Sequence, residues 1–453
     1  MPDTTATIVA EATPPGRGGL AVLRLSGEKS AGILRRIFSP AGKAAPWDSP
    51  RHLTFGEFLD LDGAAVDRGL AVYFAAPASF TGEDVAECHL HCSPAVIHAV
   101  KQACMALGAR PALPGEFSYR AVLNGRMGAL EAEAANEMAS FETALQAKTA
   151  GIAAAGGLQA RLEALRERLL ELSAAWEARI EFPEENYAQG KMPAREEVAA
   201  IAAEIRGMLA RSNSSRPLRR GWRIAICGAP NVGKSSLFNA ILQRERALVT
   251  PHPGTTRDVL EETVDIHGLP VILLDTAGIR ESDDPVERLG VEKGIEAARG
   301  ADGVLLLYSK ASGWRAEEND LAAVLGGNLV GLVETKCDLA AGGGGLPPPG
   351  LERLSVSSLT GEGLSALMDR IAHWALGTLP GEAALLLNER QREALQRAGE
   401  GLAEAEAYLA LGNTEEVALA GIGKASEAID EALGLKSREE LYDLIFSRFC
   451  IGK

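Results

Sequence analysis

Gly228-Ala229-Pro230-Asn231-Val232-Gly233-Lys234-Ser235 has the residue types and spacing needed to hold a polyphosphate. Glycines at both ends let successive backbone N–H groups of Asn231, Val232 and Gly233 converge on one point. Lys234 reaches the terminal phosphates, the hydroxyl of Ser235 suits a Mg²⁺ shell, and Ser236 opens the helix whose N-terminus faces the anion. The apolar run Trp222 to Cys227 before it predicts a strand, so the stretch reads as strand, turn and helix start. The competing reading is a glycine-rich hairpin with a surface lysine.

Three further stretches specify the nucleotide. Val271 to Leu274 reads as a buried strand delivering Asp275-Thr276-Ala277-Gly278, where Asp275 supports the metal shell and the Gly278 amide meets a γ-phosphate. Leu329 to Glu334 delivers Thr335-Lys336-Cys337-Asp338; a carboxylate at Asp338 accepts two N–H bonds from guanine, whereas adenine offers no such pair. Thr335 stands where that motif ordinarily has Asn, which weakens the expected base contact, and Lys336 is placed to lie along the base. Ser357-Ser358-Leu359 follows the strand-like Leu354 to Val356 and is expected to back the base. GTP is therefore the predicted nucleotide. Between these, Thr250-Pro251-His252-Pro253-Gly254-Thr255-Thr256 carries hydroxyls that can sense a γ-phosphate, with Thr256 the expected second Mg²⁺ ligand. After Gly278 comes Ile279, where Ras-like switches carry a water-orienting Gln. Charge neutralisation is assigned instead to K⁺ held by Asn231, Thr250, His252 and Thr255. Glu287 is the nearest group to orient water, and it reads equally as a solvated acid in a first helical turn.

These motifs, with Gly254-Thr255-Thr256-Arg257-Asp258 and the ending Cys450-Ile451-Gly452-Lys453, resemble the MnmE (TrmE) family of bacterial tRNA-modification GTPases along the whole chain. Thr81-Gly82-Glu83-Asp84-Val85-Ala86-Glu87 and Pro114-Gly115-Glu116-Phe117-Ser118 are similar to the family's N-terminal motifs, which imply a relative of folate-dependent aminomethyltransferases. The resemblance implies a tetrahydrofolate site at Arg24, Glu87, Arg126 and Lys453, binding 5,10-methylene-tetrahydrofolate, with 5-formyl-tetrahydrofolate as an analogue. The chemistry is consistent: a carboxylate accepts from a pterin N–H edge, and Arg or Lys pairs with the folate glutamate. The family often has Lys where Arg126 stands. It further implies that a mobile tail carries Cys450 to the folate as a catalytic thiol, that the chain forms a homodimer through its N-terminal domain, and that K⁺ brings G domains together. An FAD-bearing MnmG (GidA)-like partner is implied, the two installing an aminomethyl-type, carboxymethylaminomethyl, group at C5 of the wobble uridine 34 of certain tRNAs. The second reading is a regulatory GTP-binding switch, such as a ribosome-assembly factor, without one-carbon chemistry.

The elements that position these residues follow from pattern. The fold class read is multidomain: an α+β folate-binding N-terminal domain over 1–118, and a discontinuous α-helical domain over 119–216 and 380–453. Within the latter is inserted an α/β Ras-like P-loop G domain over 217–379. Thr7 to Ala10, Leu20 to Leu25 and Leu70 to Phe74 read as strands, and Ser30 to Phe38 and Pro94 to Leu107 as helices. Leu158, Leu162, Leu165, Leu169 and Leu172 recur at helical spacing, and Glu389 to Leu411 and Glu415 to Leu433 return to helix. Gly342 to Pro349 reads as a flexible surface insertion.

With 453 residues, 46% hydrophobic and 24% charged, the chain has material for several cores. Its net charge of −15 argues against a broad RNA footprint, so a partner is expected to supply basic surface. Arg211, Arg216, Arg219, Arg220 and Arg223 form one basic cluster, read either as an RNA or partner contact or as a solvated linker. Six cysteines without paired spacing, no signal peptide and no long apolar run predict a reduced, cytoplasmic protein with no membrane contact. Cys88-His89-Leu90-His91-Cys92 holds four metal-ligand types, but on a strand its cysteines and histidines face opposite ways, against a single zinc. Cys450 also sits where a prenylation box would, but Gly452 and Lys453 do not fit one.

Overall fold

The computed structural model describes residues 3–152, 157–181, 195–244, 260–275, 294–377, 385–411, 415–435, 440, 442 and 445–452. Two compact units result, one of Met1–Ala139, Ala154–Ala202 and Glu393–Lys453, the other of Ser140–Ala153 and Ala203–Arg392.

In the first unit, strands β1 (Ile8–Glu11), β2 (Gly18–Ser26), β3 (Phe38–Pro40), β4 (Thr54–Leu59), β5 (Ala65–Phe74), β6 (Val85–Cys92) and β7 (Arg110–Pro111) form one sheet in the order β3-β4-β5-β6-β2-β1-β7. Alternation decides its faces. Along β6, Cys88, Leu90 and Cys92 are buried while Glu87, His89 and His91 are not. The buried face joins Leu23, Leu25, Phe58 and Ala71 to Ile33 and Leu34 of helix Ser30–Ile37 and to Val100 and Cys104 of helix Pro94–Ala106. Each such large side chain contributes roughly 1.5–3 kcal/mol. Here β2 and β5 run longer than the sequence predicts, and β3, β4 and β7 are additions.

The same unit holds helices Glu116–Leu123, Ala129–Met138 and Leu158–Glu181, with Glu415–Leu433 and most of Glu389–Leu411. All five leucines of the expected stripe, Leu158 to Leu172, are at most 9% exposed. Arg166 Nε on Leu158–Glu181 donates to Asp430 Oδ1 of Glu415–Leu433 at 2.5 Å, so the helical part does close across the chain's long insertion. Glu389–Leu411 and Glu415–Leu433 approach so closely that a Cβ on Gly401 would lie 2.7 Å from the Gly421 carbonyl oxygen.

The second unit is built on β8 (Trp222–Gly228), β9 (Leu260–Ile266), β10 (Leu269–Asp275), β11 (Gly303–Ser309), β12 (Leu329–Thr335) and β13 (Arg353–Ser355), ordered β13-β12-β11-β8-β10-β9. All neighbours are parallel except β9, which returns antiparallel to β10. Ile224, Ile226, Leu305, Leu307 and Val333 fill one core, and Ala225, Cys227, Val304, Leu306 and Leu332 the other. Strands covered on both sides read as continuous apolar runs, as they do here.

Two expectations are corrected. The stretch 119–216 does not belong wholly with the helical part: Ala150 and Leu145, on helix Ala144–Ile152, pack into the core of the second unit. A Cβ on Gly268 would lie 2.9 Å from that of Leu145, so the β9–β10 turn needs a glycine to admit it. Nor is the glycine run from Gly342 a free loop. Trp314 and Gly345 exchange two backbone hydrogen bonds of 3.0 Å, and Gly342 N donates to Lys310 O at 3.0 Å. Among the described residues no helix is long and apolar enough to cross a membrane.

Candidate functional site

The C-terminal ends of β8, β10, β11 and β12 lie along one edge of the second sheet, where open α/β sheets bind ligands. From β8 the chain turns sharply. Gly228 has φ +153° and a Cβ there would lie 2.6 Å from the Leu307 carbonyl oxygen, so only glycine fits. Asn231 follows with φ +61°, a left-handed conformation that Asn tolerates, and Gly233 with φ +108°. Helix Lys234–Arg244 then begins, with Ser235 and Ser236 exposed in its first turn. Lys234 is buried, and its Nζ donates to the carbonyls of Gly228 (2.8 Å) and Ala229 (3.0 Å), folding the ammonium across the turn. Asp275 ends β10 opposite Ile226 and is 7% exposed, a carboxylate buried at the same C-terminal edge of the sheet.

Thr335 does something sequence reasoning missed. It is 2% exposed, and its hydroxyl lies 2.5 Å from the Val232 carbonyl and 3.2 Å from that of Tyr308. Lys336, with φ +56°, donates from Nζ to the Asn231 carbonyl at 2.9 Å. Two successive carbonyls of the phosphate loop are thereby held by the last residue of β12 and the one that follows it. The only sequence signal was the departure from Asn at this position, which said what was lost rather than what was gained. Cys337 N donates to Val356 O at 3.1 Å, joining this loop to the one after β13. There Ser357 is fully buried, Ser358 partly so, and Leu359 87% exposed; Asp338 is exposed. Thr250, His252, Thr255, Thr256, Thr276, Ala277, Gly278 and Glu287 lie outside the described residues.

In the first unit, β2 and β6 set Arg24 opposite Glu87. Arg24 Nε donates to Glu87 Oε1 at 2.9 Å, and its guanidinium lies over the rings of Phe80 (5.3 Å) and Phe117 (5.8 Å). His89 Nε2 stands 3.5 Å from Glu87 Oε2. The His89 contact and the Arg24 charge hold the Glu87 carboxyl below its usual range, despite partial burial. Arg126 is tied to the loop that carries Phe80, its Nε donating to Ser79 O at 3.1 Å. Neither the aromatic flanks of Arg24 nor the second partner of Glu87 was foreseen; both depend on cross-strand register and loop path.

The expected mobile tail is seated. Tyr119, Tyr442, Phe446 and Phe449 form one aromatic cluster, with successive ring centroids 5.1–5.5 Å apart. Gly115 N donates to Cys450 O at 3.3 Å, and a Cβ on Gly452 would lie 2.1 Å from Glu11 O. Cys450 itself is exposed, close in sequence to the docked aromatics; Lys453 lies outside the described residues. Cys88 and Cys92 face the core and His91 bonds Asp67 instead.

A parallel sheet whose first strand opens onto a phosphate loop, braced by the guanine-type motif, defines a P-loop GTPase. Residues 7–126 match the family model described as GTP-binding protein TrmE N-terminus, and residues 130–450 match the MnmE helical domain. The tRNA modification GTPase MnmE of Thermus thermophilus is 41% identical over 455 residues, 98% of this chain and 99% of that protein. The MnmE of Chloroflexus aurantiacus is 40% identical over 99% of both chains, and that of Paracoccus denitrificans 40% identical over 99% of this chain and all of its own. Among solved structures, a variant of Aquifex aeolicus Era bound to GDP.AlF4- is 25% identical over 40% of this chain and 66% of its own, with a TM-score of 0.28. The chain belongs to the MnmE (TrmE) family of tRNA modification GTPases.

Proposed function

We propose that this GTPase is stimulated by K⁺ and works with an MnmG-like FAD protein to install an aminomethyl-type group at C5 of wobble uridine 34 of tRNA. The one-carbon donor in this reading is 5,10-methylene-tetrahydrofolate. Asp338 selects guanine, Lys234 meets the phosphates, Ser235 and Thr256 ligate Mg²⁺, and Asn231 with Thr250, His252 and Thr255 holds K⁺. An exposed serine, Ser235, and a buried carboxylate, Asp275, are oxygen donors of the types that suit a hard divalent cation. When bound, that cation offsets charge on the phosphates. Glu287 orients water. Residues 1–118 serve as the folate domain and 217–379 as the G domain of a cytoplasmic homodimer, and 119–216, apart from helix Ala144–Ile152, serves with 380–453 as its helical domain. In support of dimerisation, Phe55, Leu70, His89 and Val22 share a row across the sheet face opposite the helices, with Phe55 55% exposed.

The observation that carries the one-carbon part is the Arg24–Glu87 pair with its aromatic flanks. An ionised carboxylate fixed by an arginine and bordered by Phe80 and Phe117 is suited to accept the N–H edge of a flat heterocycle. Arg126 and Lys453 supply cations for the folate glutamate, and the Cys450 thiol is carried on the tail tied to Gly115. Calorimetric titration of the full chain with 5-formyl-tetrahydrofolate tests this. Binding is expected, and Glu87→Gln should weaken it roughly tenfold or more, the worth of a hydrogen bond to charge. A wild-type chain without folate affinity leaves the regulatory-switch reading in its place.

A further inference from the structure

Between 204 and 223 the charged residues are Glu204 and six arginines, Arg206, Arg211, Arg216, Arg219, Arg220 and Arg223, with no lysine among them. Arg216, Arg219 and Arg220 gather with Arg392 around a shallow concavity of the second unit, where Glu389 is the one carboxylate among the described lining residues. Arg220 Nη2 donates to one oxygen of Glu389 and Arg392 Nη2 to the other. The bond from Arg392 and the charges of Arg220 and Arg216 hold that carboxyl below its usual range, so it remains ionised and still leaves the concavity positive. Each guanidinium has five N–H donors, and these two give Glu389 only some of theirs. Arg216 is exposed.

We propose that this concavity takes backbone phosphates of the tRNA, an inference that rests on the tRNA reading above. A chain of net charge −15 repels a polyanion over most of its surface, so a locally positive hollow is where phosphate settles. Arginine, with its planar fork, suits phosphate oxygens better than lysine does when two are to be held at once. The location matters too. Arg216 to Arg220 follow the passage of the chain into the second unit at Ala202–Ala203, and Arg392 immediately precedes its return at Glu393. RNA bound here contacts the chain near, in sequence, two of its four passages between the units.

Binding of an unmodified tRNA transcript to the full chain, alone and with the flavin partner, is measured by anisotropy over a salt series. Arg216→Gln should lower affinity about fivefold at low salt and flatten the slope of log K against log salt by about one, with Arg216→Glu flattening it further. Basal GTP hydrolysis should remain at wild-type rate in both, which also reports folding. Wild-type affinity and slope in both variants overturn the proposal while leaving the tRNA reading intact. Loss of partner association with an unchanged RNA slope overturns it in favour of a protein-docking face. If the wild-type chain binds no tRNA with or without the partner, both fall.

Discussion

A threonine hydroxyl carries one proton, and Thr335 sits within reach of two carbonyls, 2.5 Å from Val232 O and 3.2 Å from Tyr308 O. Its donor is therefore committed to backbone, and any effect of the residue on nucleotide is expected to run through the loop it holds. Thr335→Val keeps the shape and leaves the buried Val232 carbonyl short of a donor, a loss of about 1–2 kcal/mol. Titration with a fluorescent GDP should show affinity down roughly fivefold to thirtyfold, while Thr335→Asn, whose amide also donates, stays near wild type. Equal affinity in the valine variant would show the tether to be idle. Asn231 supports a separate prediction because its backbone φ of +61° confounds a simple alanine test. Asn231→Gly keeps that conformation and removes the side-chain oxygen; Asn231→Ala removes both. Hydrolysis measured in KCl against NaCl should lose its K⁺ stimulation in both variants, with GTP affinity changed far less. Stimulation equal to wild type refutes the cation assignment.

Helix pairing offers a comparison in which propensity and packing oppose each other. Gly→Ala inside a helix ordinarily stabilises by about 1 kcal/mol. On Glu415–Leu433, Gly423 has nothing within 4 Å of an added Cβ, whereas a Cβ on Gly421 would lie 2.6 Å from the Gly401 carbonyl oxygen. Gly423→Ala should raise the thermal midpoint of the helical transition slightly. Gly421→Ala and Gly401→Ala should each lower it by about 5 °C, since overpacking against backbone costs roughly 1–3 kcal/mol. Circular dichroism melts decide it, and three matching curves would mean the helices separate freely. These two helices were legible end to end because Ala, Leu and Glu repeat at helical spacing between Pro380-Gly381 and the tail, yet the glycine contact was not, since it depends on which faces meet. Likewise β8 and β10 were legible as apolar runs ending in chemistry. The edge strand β9, Leu-Glu-Glu-Thr-Val-Asp-Ile, was not, because a half-exposed antiparallel edge alternates charge with only short apolar content. Helix Ala144–Ile152 was placed with the wrong neighbours for a related reason: an alanine-rich helix suits either core, and Leu145 against Gly268 settles it only in three dimensions.

At the scale of the whole chain, phosphate chemistry and the proposed carbon transfer occupy different units, so a substitution that touches one should spare the other. Cys450 is suited to that separation. Its thiol is exposed, while the chain around it is fixed by Phe446 and Phe449 and by the bond from Gly115 N to Cys450 O. Cys450→Ser alters one atom, keeps those anchors, and exchanges a strongly nucleophilic sulfur for a weakly nucleophilic oxygen. GTP hydrolysis and 5-formyl-tetrahydrofolate affinity should both remain near wild type, and modified wobble uridine, measured by nucleoside mass spectrometry after reaction with the flavin partner, should disappear. Loss of folate affinity as well would make the cysteine a binding contact rather than a reacting thiol. Full modification would take the thiol out of the chemistry and return the tail to a purely packing role. The discrimination works because the aromatic anchors, not the sulfur, hold the tail, so a serine there tests reactivity without dislodging the element that carries it.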